Sequence, residues 1–144
     1  MNRMGITKSQ QKVVFVIGSL FILALAAYMA FLATDEPVYE STVIFVTSSE
    51  ARIKIKEHQD VFILDVRSNE EFVARRIPGA VNIPYTMIRA RQDLLPGDRQ
   101  AQIMVYCRTG RRAAIAANEL LALGYINVIV FPGMVSWDYE TVTG

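Results

Sequence analysis

The chain has 144 residues, room for one ordinary domain, and 52% of them are hydrophobic at a mean hydropathy of +0.26, high for a purely soluble protein. A formal charge of +1 supplies no basic face of the kind a nucleic-acid reader carries, so nucleic acid is not expected as a partner. One cysteine, Cys107, and one histidine, His58, exclude an internal disulfide and a zinc-type ligand cluster; no metal is expected, and chemistry at sulfur must use a single thiol.

The excess of apolar residues lies at the start. Residues 1–12 carry Arg3, Lys8 and Lys12 and no acid, and Val13–Ala33 then runs for 21 residues without a charge. As a helix this stretch rises ~31 Å, close to the ~30 Å hydrocarbon thickness of a bilayer. Only Gly18, Ser19 and Tyr28 interrupt it, whereas a core helix of that length shows a polar face. The expectation is one transmembrane helix over 13–33 with the membrane as its partner. The lysine and arginine bias holds residues 1–12 in the cytoplasm and the rest on the periplasmic or extracellular side. A cleaved signal peptide is the alternative, since Ala24, Ala26, Ala30 and Ala33 offer small residues for cleavage, but the run exceeds the usual h-region. Both readings export the domain. Residues 34–40, with Pro37, read as a polar linker, and residues 41–144 as the folded domain; beyond residue 33 the formal charge is −2.

In the domain, Val43–Val46 and Val61–Val66 are near-continuous apolar runs, as are Ile103–Tyr106 and Val128–Phe131, the pattern of strands buried on both faces of a parallel sheet. Helical patterns separate them. Ser48 or Ser49 caps one through about Glu57, Asn69 a short one through Arg75, and Thr86 opens another toward Leu95. Ile83, after Pro78-Gly79, adds a fifth strand. Arg111–Leu123 is the clearest helix, with Ala113, Ala116, Ala117 and Leu120 in one stripe and Gly124 placed to end it. Strands alternating with helices imply right-handed crossovers and an α/β domain of three layers, in which ligands sit outside the carboxyl ends of the strands.

Cys107 falls at such an end, between the strand Ile103–Tyr106 and the helix from Arg111. The turn Cys107-Arg108-Thr109-Gly110-Arg111-Arg112 can curl its N–H groups inward, the helix N-terminus adds partial positive charge, and Gly110 permits the close backbone approach. Arg108, Arg111 and Arg112 add three cations, so the loop binds anions and favours thiolate over thiol at Cys107. A buried, chemically idle strand-end cysteine is the plain alternative; one of the arginines could also point to solvent or pair with Glu119 or Asp138. His58, ahead of a strand, reads as an exposed residue at a helix end.

Several segments in order resemble the rhodanese family of single-domain sulfurtransferases, over roughly Ser41 to Glu140: Leu64-Asp65-Val66-Arg67, Glu71-Phe72, Ile77-Pro78-Gly79-Ala80, Asn82-Ile83-Pro84, the run Val105 to Arg112, Gly124-Tyr125, and Gly133 with Trp137. The resemblance implies a rhodanese-like three-layer domain with a central, mostly parallel sheet of about five strands. It implies that Cys107 takes the outer sulfur of a donor such as thiosulfate, holds it as a persulfide, and passes it to a thiol or other thiophilic acceptor by ping-pong kinetics, with no cofactor. Arg108, Thr109, Gly110, Arg111 and Arg112 would bind the anionic donor, while Asp65 and Arg67 would brace the loop; for that pair a plain exposed ion pair is the alternative. Trp137 reads as a cover on the core. Two positions depart from the family: Arg75-Arg76 stand where Gly-His is usual, and Pro132-Gly133 where Gly-Gly is common.

Two rivals remain at this stage. Phosphatases of the same fold also place a thiolate in an anion cradle, but they need a larger ring, and the next position here, Ala113, is not arginine. The second rival is a membrane-tethered docking or sulfur-relay module. Export would place the thiol where cysteines oxidise, so Cys107 is expected to be isolated enough not to dimerise.

Overall fold

The computed structural model describes residues 8–32, 42–58 and 60–144, which fall into two units divided after Val38. The first contains one helix, α1 (Lys8–Leu32). Among the described residues no helix is long and apolar enough to cross a membrane. The expected span over 13–33 therefore finds no support there. The helix opens on the polar run Lys8, Ser9, Gln10, Gln11 and Lys12. Ala33, the linker 34–40, Ser41 and the first seven residues lie outside the described residues.

The second unit is a five-stranded sheet: β1 (Thr42–Phe45), β2 (Phe62–Asp65), β3 (Val81–Asn82), β4 (Ile103–Cys107) and β5 (Asn127–Gly133). Their order in the sheet is β1-β5-β4-β2-β3, and every pairing is parallel. The expected fifth strand exists but is shorter and earlier, Val81–Asn82, because Ile83 already belongs to the turn into Pro84. The near-continuous apolar runs are explained by two-sided burial. Along β4 every residue is buried, with Ile103, Val105 and Cys107 facing one core cluster and Met104 and Tyr106 the other.

The first cluster is closed by α4 (Arg111–Ala122), whose Ala113, Ala116, Ala117 and Leu120 are fully buried, the stripe read from the sequence. The small alanines let the helix lie close on the sheet. The second cluster is closed by α2 (Ser48–Glu57) and by Trp137, which stacks on Phe131 as a core cover. In both short helices the cap lies one residue before the expected position: Thr47 caps α2 and Ser68 caps α3 (Asn69–Ala74), each in a reciprocal capping box with the glutamate three residues on. The helix expected from Thr86 to Leu95 is replaced by two 3-10 turns, Tyr85–Met87 and Gln92–Leu94. Only Ile88 and Leu95 of that stretch are buried, too few apolar contacts for a continuous helix.

Candidate active site

Cys107 is the last residue of β4 and only 1% exposed. It is a strand-end residue, as its position suggested. Its sulfur nonetheless meets a polar group: the Gly110 N–H donates to Sγ at 3.1 Å. Gly110 caps α4 in the left-handed region, φ +94°, a conformation that L side chains rarely adopt, so glycine there allows the turn to close in three residues. Among the described residues, the N–H groups of Arg108, Thr109, Arg111 and Arg112 have no protein acceptor, and the carbonyls of Cys107 and Arg108 accept instead from Met134 N and Val135 N at 3.1 and 3.0 Å. Those two bonds tie the chain after β5 to the thiol loop. Gly133 makes the approach possible, since a Cβ at that position would overlap the Cys107 carbonyl oxygen and the Tyr106 ring.

The three loop arginines part company. Arg112 donates to Glu71 through Nη1 and Nη2, at 2.7 and 2.9 Å, a paired fork that fixes its plane. The Arg112 hydrogen bonds draw the Glu71 carboxyl down to about 2; in turn Glu71 raises the Arg112 guanidinium above its usual value, and the nearby Cys107 adds to that. Glu71 also accepts the Ser68 N–H, so one carboxylate both caps α3 and holds a loop arginine. Arg108 and Arg111 are exposed, and neither forms an ion pair among the described residues; Glu119 pairs instead with Arg89. Thr109 and Arg111 lie on one flank of the loop, lining an apolar cavity of about 330 Å³ with Phe45 and Pro132, while Arg108 lines another on the opposite flank.

Asp65 and Arg67 are not an exposed pair. They are 0% and 5% exposed, and Arg67 Nη2 meets Asp65 Oδ2 at 2.6 Å. Burial disfavours the Arg67 charge, but the hydrogen bonds and charge of Asp65 more than offset it and raise its pKa. Arg67 Nη2 also donates to the Arg75 carbonyl at 2.6 Å, and Asn82 donates to the carbonyls of Asp65 and Arg67. The pair thus clamps the end of β2, beside β4 in register Asp65 to Tyr106, to the chain that follows α3. Tyr106, its hydroxyl accepting the Ile77 N–H at 3.2 Å, is pushed well above the usual phenol range by burial. His58 is the exposed C-cap of α2, as its sequence position suggested. Among the described residues no three His, Cys, Asp or Glu side chains stand together as metal ligands.

Sequence reasoning missed Glu71 as the partner of Arg112 and Asn82 as a brace. The Ser68-x-x-Glu71 spacing signalled the cap; nothing local could signal a partner 41 positions away.

A family model described as the rhodanese-like domain matches residues 47–139, from the cap of α2 to beyond Trp137. The chain belongs to the rhodanese-like domain family. This rhodanese-like domain is 29% identical over 93 residues to a protein of Allochromatium vinosum named sulfurtransferase, covering 64% of this chain and 85% of that one. It is 36% identical over 89 residues to YrkF of Bacillus subtilis, whose name describes a sulfur carrier; the match covers 61% of this chain but only 47% of YrkF, about half its length. Among solved structures, a rhodanese-like domain protein from Staphylococcus aureus superposes with a TM-score of 0.61 at 29% identity, covering 70% of this chain and 98% of that one. A rhodanese-related protein from Thermoplasma volcanium gives 0.60 at 29% identity, covering 70% and 99%.

Proposed function

We propose that the chain is a sulfurtransferase that carries sulfur on Cys107. The observation that carries the reading is the placement of its lone thiol at a strand end, with Gly110 N–H on the sulfur and four further N–H groups of the same loop without protein acceptors among the described residues. Relatives named as a sulfurtransferase and a sulfur carrier support the same chemistry. In the first half-reaction the Cys107 sulfur attacks the outer sulfur of thiosulfate, the S–S bond of the donor breaks, and sulfite leaves with the bonding pair. The Cys107 persulfide then bears the negative charge. An acceptor thiolate attacks the terminal sulfur, takes it as its own persulfide, and returns Cys107 to its starting state. The loop N–H groups and the Arg112 guanidinium, held by Glu71, stabilise the anion at both stages. Asp65 and Arg67 act behind the loop by fixing the end of β2 to the chain at Arg75.

Mass spectrometry of the protein incubated with thiosulfate tests this: a gain of one sulfur is expected, abolished in Cys107→Ser. Unchanged mass with an intact fold would favour the docking reading, and phosphate-ester hydrolysis lost in the same variant would favour the phosphatase. From the charge-free run 13–33 and the bases preceding it we further infer that the domain is anchored to the membrane and faces the outside of the cytoplasm.

A further inference from the structure

On the flank of the thiol loop that carries Arg108 lies a cavity of about 370 Å³, lined by Arg67, Glu71, Ala74, Arg75, Arg108, Met134 and Val135. Its wall is attached to the active loop, because Met134 N and Val135 N donate to the carbonyls of Cys107 and Arg108. Two of its four charged side chains are already neutralised: Arg67 by Asp65, and Glu71 by Arg112. Arg75 and Arg108 have no carboxylate within ion-pairing distance among the described residues, which leaves the cavity with two uncompensated guanidinium groups. Arg75 is not a loose side chain. Its N–H donates to the Glu71 carbonyl, its own carbonyl accepts from Arg67 Nη2, and its Nη2 rests on the Trp137 carbonyl at 3.3 Å. Part of its donor fork remains available to a ligand. Ala74, Met134 and Val135 supply the apolar part of its lining.

We propose that this cavity is the acceptor subsite and that it selects small thiols bearing carboxylate groups. The assignment rests on the sulfur-transfer reading above. Its size falls in the range of small-molecule pockets, and a cysteine only 1% exposed is reached more readily by a slender thiol than by a folded partner. The carboxylates pair with Arg75 and Arg108, the carbon chain lies on Ala74, Met134 and Val135, and the thiol is directed toward Cys107. Because both guanidinium groups are solvent-accessible, the selectivity weakens as salt rises.

Two measurements on the full chain test this. In the Cys107→Ser variant, succinate is titrated against its neutral counterpart succinamide by calorimetry. Succinate is expected to bind more tightly, with Kd raised at least tenfold by Arg75→Gln and largely restored by Arg75→Lys. In the chain preloaded with sulfur, the kcat/KM ratio of mercaptosuccinate over 2-mercaptoethanol is expected to fall at least fivefold in Arg75→Gln; intrinsic thiol reactivity cancels from that comparison between variants. Equal binding of the two titrants, no binding of either, or a ratio unmoved by Arg75→Gln overturns the proposal. A chain that takes up no sulfur yet binds succinate through Arg75 overturns the acceptor assignment together with the sulfur-transfer reading. A chain that loads sulfur but ignores succinate overturns the subsite alone, and points to a polypeptide acceptor.

Discussion

Gly133 shows how one missing side chain sets the thiol loop. Its φ of +79° lies in the left-handed region, and the space a Cβ would fill holds the Cys107 carbonyl oxygen and the Tyr106 ring. Gly110 has a similar φ, but a Cβ there meets only Pro132 Cα at 3.7 Å, an ordinary contact. Substitution at Gly110 therefore meets backbone strain alone, while Gly133→Ala meets strain and collision with rigid backbone. Gly133→Ala is expected to lower stability by roughly 2 to 3 kcal/mol, read by urea denaturation, and to abolish sulfur loading by displacing the Cys107 carbonyl. The presence of Pro132 in place of a glycine is compatible with the site because β5 shifts register there, Cys107 pairing with Gly133 and skipping Pro132. At this scale the sequence exposed Cys107, Gly110 and the arginines, since each is recognisable from its neighbours. It did not expose the role of Glu71, because the partner lies on a distant segment.

Among the elements, α3 is the one most dependent on polar contacts. It has six residues and buries none of them, so packing contributes little to it. What holds it is the capping box of Ser68 and Glu71 and the Glu71–Arg112 fork. Because the folded protein holds the Glu71 carboxyl near 2, below its ordinary value of 4.5, it favours the ionised form. The stability this adds is complete above about pH 4.5 and is lost as pH falls through that value toward about 2. Glu71→Gln is expected to remove that acid-linked component from the pH dependence of unfolding. The carboxylate is about a third exposed, so the loss at neutral pH should be only ~1 kcal/mol. Sulfur loading should slow about tenfold at saturating donor, since Arg112 loses its fixed plane; a variant with unchanged loading and unchanged acid unfolding would show that the fork is idle. The same reasoning explains the segment 86–95. Its sequence has a capping threonine and scattered apolar residues, but with only Ile88 and Leu95 buried the chain settles into two short turns.

The chain divides into two units, whose described residues form the helix α1 and a parallel α/β domain, and the inferred membrane anchor belongs to the first. Extraction of cell envelopes with alkaline carbonate, which strips peripherally bound proteins, is expected to leave the full chain in the pellet, and protease added to intact spheroplasts is expected to digest the domain. Release of the chain by carbonate would remove the anchor, and an N-terminus mapped beyond residue 33 would replace it with signal-peptide cleavage. In the domain, strand order and crossovers bring the ends of β2, β4 and β5 side by side, so that the segments carrying Arg67, Cys107 and Gly133 become neighbours although they are far apart in the chain.

Local pattern was sufficient for the parallel α/β class, the buried stripe of α4 and the position of the thiol loop between β4 and α4, because two-sided burial, helical periodicity and turn chemistry act over a few residues. The tertiary structure decided which arginine is tied to a carboxylate and which remain open. It also decided that Asp65 and Arg67 are buried together, and that the chain after β5 hydrogen-bonds the carbonyls of Cys107 and Arg108. Those outcomes depend on distances between segments brought together by the sheet, and no spacing along the sequence specifies them.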